Sequence, residues 1–373
     1  MEQWLSIGGD NRPQPYCLRT RWYLPLVDAV LNFSVDDLEA IDIEKHFCFK
    51  TRKSKARRMK RSTSIRRKAA AAASASLASS AAPAPKRTTS TTRKRTKKQI
   101  EEKELPHGLH VSAEVGGRPY MEDAYGHHVT DKALVFGVFD GHGGDVCSNY
   151  CAVRVCEEIG AHDALHQSPR KALNEVFSKI DREFCDAEGH SGAGSTATVG
   201  ILRHCSVAED FKLHMGFVGD SSAIVIRPDG TYEMLTSNHH GSREDERKRI
   251  EKLGGTVTYD KDDDVYRVSG VLAVTRALGD AYLKPYVSST PETKEITVSP
   301  KDVIVVASDG LWDEVHPEDV VRTIRQHGVD AGVKKLVDAA AKVGEDNVCA
   351  LAVDVGKAVA TLFPDKAVEQ KQT

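Results

Sequence analysis

The chain has 373 residues, with 52 Lys and Arg against 54 Asp and Glu and a formal net charge of −2. That total hides a division, because residues 51–105 carry 18 basic and three acidic side chains while residues 106–373 carry 29 and 43. A composition that is 40% hydrophobic and 28% charged is that of a folded globular protein. The absence of any run of 18 apolar residues or of a secretory leader pattern argues against a spanning helix and against secretion.

Eight cysteines without a CxxC pair predict an intracellular, reducing compartment and no disulfide framework. In chain order, residues 1–50 form an N-terminal extension. Within it Trp22–Phe49 mixes apolar and acidic residues, and Ser34 followed by Asp36, Asp37 and Glu39 reads as the start of a short helix. Residues 51–105 are a basic low-complexity linker, with an Ala/Ser stretch from Ala69 to Ala82 between Lys/Arg clusters. Having few apolar residues larger than Ala, it cannot offset its ordering entropy by burial and reads as disordered or transiently helical.

From about Leu109 the pattern changes. Ala133–Phe139, Thr196–Leu202, His214–Val218, Ala223–Ile226, Val303–Ala307 and Val348–Val355 are short runs rich in Val and Ile, as buried strands are. Helices are predicted over Asp145–Ile159, Pro169–Ala187, Arg243–Leu253 and Ala331–Val343. No regular βαβ alternation links these elements, which predicts an α+β fold. Cys147 and Cys151, four apart on one helix face, are expected to be buried packing groups.

The acids fall at the ends of the predicted strands. Asp140 follows LVFGVF, Asp309 follows VIVVAS, Asp346 precedes VCALAVDV, Asp220 follows HMGFVG, and Glu122 and Asp123 lie in RPYMEDAY. One Asp-Gly at a strand end is an ordinary turn start. Five such places in one domain point instead to hard divalent cations, which prefer carboxylate, carbonyl and water oxygens. The sequence has no GxSxG elbow, no CxxxxxR cradle and no Walker loop to supply a competing chemistry.

The motifs RPYMED (118–123), VFDGHGG (138–144), GSTAT (194–198), VGDSSA (218–223), LAVTRALGD (272–280), ASDGLWDEV (307–315) and EDNV (345–348) follow one another as in the metal-dependent protein Ser/Thr phosphatases. The chain resembles this PPM or protein phosphatase 2C family over about residues 107–357. The resemblance implies two central antiparallel β-sheets packed as a sandwich and flanked by helices. It also implies a catalytic domain over 106–357 with a C-terminal tail from 358 to 373.

The implied reaction is hydrolysis of phosphoserine and phosphothreonine in proteins by in-line attack of a metal-bound hydroxide. The cofactors would be two Mg2+ or Mn2+ ions and a third, weaker one. Asp140 would bridge the two ions, with the carbonyl of Gly141 adding a ligand. Glu122 would serve one ion, and Asp309 with Asp346 the other. Asp123 would hold the surrounding waters, and Asp220 and Asp313 with Asp309 would bind the third ion. Arg118 would clamp phosphate and His142 would act as general acid. Thr196 and Gly194 are expected to be structural, Trp312 to pack at a strand end, and Arg276 with Asp280 to form a supporting pair.

Two positions depart from the family pattern. Ser222 stands where Arg is usual, and Asn238-His239-His240-Gly241 where Asp-His-Lys-Pro is usual. No proposed core ligand is lost. The implied partners are phosphorylated proteins, for a protein acting as a monomer. The clusters in residues 51–98 predict binding to polyanions or to a nuclear import receptor, and a nuclear and/or cytoplasmic location. Two other functions stay open on the sequence: a catalytically silent phosphoprotein-binding relative, and a nucleic-acid-associated protein acting through the basic tract.

Overall fold

The computed structural model describes residues 103–187, 192–205 and 210–364. The expected N-terminal helix and most of the basic linker lie outside these residues. Two sheets form the centre. The first has the order β1 (Lys103–Glu104), β2 (Leu109–Glu114), β16 (Val348–Asp354), β15 (Val303–Ala307), β9 (Ser222–Ile226) and β10 (Tyr232–Met234). The second has the order β14 (Glu292–Val298), β8 (Asp210–Val218), β7 (Ala197–Cys205), β4 (Ala133–Phe139) and β3 (Ala124–Val129). Every pairing in both is antiparallel.

The continuous apolar runs are explained by burial on both faces. In β4, Leu134, Phe136 and Val138 point into the core between the sheets, while Ala133, Val135 and Phe139 point into a second core. In that second core they meet Cys147, Cys151 and Val155 of helix α1 (Val146–Gly160) and Leu173, Phe177 and Ile180 of helix α2 (Pro169–Asp186). The first sheet does the same. Cys349, Leu351 and Val353 join the central core, and the intervening Ala350 and Ala352 turn to the other face. There the strands meet helix α6 (Val329–Val343). The layering is therefore helix, sheet, sheet, helix, as the α+β reading expected.

Between β10 and β14 lies a smaller unit. Helix α3 (Glu244–Lys252) and the hairpin of β11 (Val257–Asp260) with β12 (Val265–Val268) share a separate cluster of Ile250, Val268, Val274, Ala277, Leu283 and Val287. Helix α4 (Asp309–Trp312) and helix α5 (Pro317–His327) follow β15. Helix α7 (Val355–Leu362) closes the chain, and its buried Ala358 and Val359 belong to the central core. The body thus runs past the expected boundary at residue 357, and β1 starts before residue 106.

Candidate active site

Strand register gathers the strand-end acids at one end of the sandwich. Ala124 pairs with Phe139, Val138 with Thr198, and Ala197 with Val218. In the other sheet Ser222 pairs with Ala307, Ala307 with Ala350, and Val348 with Glu114. Glu122 and Asp123 precede β3, Asp140 follows β4, and Asp220 lies on the crossover from β8 to β9. Asp309 follows β15, Asp346 precedes β16, and Arg118 follows β2. Ladder geometry therefore brings seven side chains from five separate stretches of the sequence to one rim.

Hydrogen bonds fix this rim. Asn347 is its hub: Oδ1 accepts from the Glu122 backbone N–H at 2.8 Å, and Nδ2 donates to the Val115 carbonyl at 2.8 Å and the Tyr120 carbonyl at 3.1 Å. The Ser308 hydroxyl donates to Asp123 Oδ2 at 2.7 Å and joins the two sheets. Thr196 Oγ1 accepts from the Asp140 N–H at 3.0 Å, which bears out its structural reading. Glu122 Oε1 accepts from the Gly144 N–H at 2.7 Å. Gly310 is obligatory, because a Cβ there would lie 2.0 Å from the Asn347 carbonyl oxygen.

The electrostatics are those of crowded anions. Burial, added to by Asp123, Asp309 and Asp220, holds the Asp140 carboxyl well above the usual range. Asp309 is raised the same way, by burial first and then by Asp220, Asp346 and Asp313. Burial pushes Asp123 up to about 7 despite its bond from Ser308. Glu122 is also raised by burial. Arg118, half-exposed, gives Asp346 Oδ2 a hydrogen bond of 2.5 Å. One cation among so many carboxylates leaves negative charge uncompensated. Hard oxygen donors in excess of local positive charge fit divalent metal ions.

Among the described residues, the one trio of acidic or histidine ligand atoms lying within 4.8 Å of one another is Asp245, Glu246 and Glu292. That trio is threaded by arginines: Arg243 bonds Asp245 and Glu292, and Arg276 bonds Glu246 at 2.5 Å. It already holds its positive charge. The strand-end acids are more widely spaced, and they outnumber the Arg118 on Asp346 and the His240 beside Asp220. A groove of about 510 Å3 lined by Arg170, Met234, Ser237 and Lys294 among others includes none of them.

Arg276 and Asp280 do not form the expected pair. Arg276 binds Glu246 and Glu292, whereas Asp280 Oδ2 lies 2.8 Å from His142 Nε2. Burial disfavours a charged imidazole, but the bond and charge of Asp280 outweigh it and raise the His142 pKa. Trp312 Nε1 donates to the carbonyls of Ser222 and Ala307, each at 3.1 Å, across the ends of β9 and β15. The two departures from the family pattern meet: Ser222 Oγ donates to Asn238 Oδ1 at 2.8 Å. His240 Nε2 lies 2.9 Å from Asp220 Oδ2, which raises the imidazole pKa.

An antiparallel two-sheet sandwich with helices outside and carboxylates along one rim defines the structural class. A family profile described as "Protein phosphatase 2C" matches residues 115–354, and the chain belongs to that family. It is 36% identical over 249 residues to "Probable protein phosphatase 2C 52" of Oryza sativa subsp. japonica, covering 64% of this chain and 48% of the relative. It is 36% identical over 246 residues to "Probable protein phosphatase 2C 11" of Arabidopsis thaliana, covering 64% of each. The match thus spans about half to two thirds of the length of these relatives. Among solved structures, the serine-threonine phosphatase 2C from Toxoplasma gondii superposes with a TM-score of 0.59 at 24% identity, over 66% of this chain and 93% of that one. A C. elegans sex determining protein superposes with a TM-score of 0.58 at 25% identity, over 70% of this chain and 68% of that one.

Proposed function

We propose that the chain is a divalent-metal-dependent phosphatase acting on phosphoserine and phosphothreonine in proteins. The observation that carries this reading is the rim of acids, of which Glu122, Asp123, Asp140 and Asp309 are raised by burial, in a member of this family. Asp140 would serve both of two ions, the carbonyl of Gly141 would add a ligand, Glu122 would serve one ion, and Asp309 with Asp346 the other. Asp123 would orient water around them, and Asp220, Asp313 and Asp309 would hold a third ion. Mg2+ and Mn2+ both suit such oxygens. Bound there, the ions would supply the charge that acidifies a water for in-line attack on phosphorus and would offset the phosphate charge.

The side chains do the rest. Arg118 presents a planar fork to the phosphate oxygens, and its bond to Asp346 holds that fork at the rim. His142 donates a proton to the departing seryl or threonyl oxygen, and its raised pKa keeps that proton available near neutral pH. The basic clusters in 51–98 would direct the enzyme to polyanions or to the nucleus.

The test is turnover of a phosphoserine peptide by the full chain. Turnover is expected to require Mn2+ or Mg2+, to stop in EDTA, and to fall by about 100-fold or more in Asp309→Asn. Turnover in EDTA, or turnover indifferent to that substitution, overturns the mechanism. A folded chain that binds Mn2+ and the phosphopeptide without turning it over is a silent binding protein.

A further inference from the structure

Three two-residue strands make a small ribbon at the rim. β5 (Gly141–His142) pairs with β6 (Gly194–Ser195), which pairs with β13 (Leu278–Gly279). His142 stands opposite Gly194, and Gly194 stands opposite Gly279. The next residue, Asp280, is fully buried and takes the left-handed conformation at φ 53°, and its N–H donates to the Ala193 carbonyl at 2.9 Å. Its carboxylate reaches over Gly194 to His142. A Cβ on Gly194 would lie 2.2 Å from Asp280 Oδ2 and 2.4 Å from His142 Nε2, so the pair exists only because that residue has no side chain. Asp280 Oδ1 is buried and has no hydrogen-bond partner among the described residues. A buried carboxylate with one oxygen unpartnered is costly. The interaction it does make is with His142.

We propose that Asp280 is a positioning residue for His142, fixing the ring and its tautomer so that Nδ1 is the nitrogen that serves the substrate. This inference rests on the phosphatase reading above. An ionised carboxylate only accepts hydrogen bonds, so Nε2 must carry hydrogen toward Asp280. The hydrogen bond at one ring nitrogen sets the state of the other. As the bond from phosphorus to the seryl or threonyl oxygen breaks, its electron pair stays on that oxygen. The proton on Nδ1 moves to the same oxygen, and the new bond to phosphorus comes from water. The ring is left neutral with its proton on Nε2, the tautomer that Asp280 selects, and regains a proton at Nδ1 from solvent.

The test compares two substrates in the full chain with Mn2+. A phosphoserine peptide needs a proton on its leaving oxygen, whereas p-nitrophenyl phosphate has a leaving group stable as an anion. Asp280→Asn, which keeps shape and tolerates the left-handed backbone, is expected to lower kcat on the peptide about 10- to 100-fold, part of what general acid catalysis supplies. KM, and turnover of p-nitrophenyl phosphate, should change less than about threefold. In a His142→Ala background the same substitution should add nothing. Equal losses on both substrates, an additional loss in that background, or no loss at all overturns the proposal. Nitrogen NMR of 15N-histidine chain, at a pH alkaline enough to leave the ring neutral, gives a second readout, since His142 should then show the Nε2–H tautomer and lose that preference in Asp280→Asn. An unchanged tautomer overturns the proposal even if no substrate is turned over, and wild-type failure on both substrates counts against the phosphatase reading instead.

Discussion

Asp123 shows what the rim costs the chain in the absence of cations. Its folded-state pKa of about 7 lies above the ordinary 3.8, so the folded chain keeps a proton that the unfolded chain releases between those values. The metal-free protein therefore binds more protons folded than unfolded, and this residue's contribution falls as pH rises from about 4 to 7. Asp123→Asn removes that titration. Between pH 5 and pH 7.5, thermal melts in EDTA should show the variant gaining on wild type by on the order of 2 kcal/mol. A constant difference across that range would show that Asp123 does not titrate there. The acids and the arginine of this rim were legible as sequence motifs. The partners that hold them were not, because Asn347 and Glu122 are 225 residues apart and Ser308 and Asp123 are 185 apart. Asp280 was visible but was paired with Arg276 by proximity in sequence, when Arg276 is drawn to the buried carboxylate of Glu246 instead.

Among the elements, those buried on both faces were read well: Ala133–Phe139 and Val303–Ala307 match their predicted bounds. Edge strands were missed. β14 places Thr293, Lys294 and Glu295 in a row on a half-exposed edge, so its apolar signal is weak. Helix α5 carried its marks in the sequence, with Pro317 at its start, Glu318 and Asp319 in its first turn and Gly328 after its end. The α3 and β11–β12 unit has a core of its own, so it should be able to open locally. Ile250→Ala removes its fully buried centre at about 2–4 kcal/mol. Amide exchange should speed up across 244–287 and stay slow in β4 and β7. Equal acceleration in those strands would mean that unit and sandwich open together.

At the scale of the whole molecule, the charge division remains the main feature outside the fold. Residues 51–105 carry 18 basic side chains and residues 106–373 carry 43 acidic ones, some of which line the rim. If the rim is filled by divalent cations, added Mn2+ should raise the melting temperature more at pH 7.5 than at pH 5, because carboxylates must shed protons to bind metal. An equal rise at both values would place the binding elsewhere. The expected role of the basic tract lies outside the described residues. Deleting 51–98 should abolish salt-dependent retention on heparin and leave turnover of a neutral phosphopeptide unchanged. Retention that survives the deletion would assign polyanion binding to the body. The two-sheet arrangement itself followed from the motif order, since short apolar runs alone do not say which strands are neighbours.

The pairing of β2 with β16 has a consequence for biosynthesis. These neighbours in the first sheet come from opposite ends of the described chain, at Leu109–Glu114 and Val348–Asp354. Translation at about 5–20 residues per second separates their emergence by roughly 10–50 s. Until then β2 can pair only with the two residues of β1, and β15 lacks its partner on one side. Asp346, at the entrance to β16, arrives last among the rim acids. The nascent chain therefore lacks the complete set of acids proposed to hold metal until nearly all of the domain has been made, and the exposed edges of β2 and β15 are the surfaces for a chaperone to cover in the meantime.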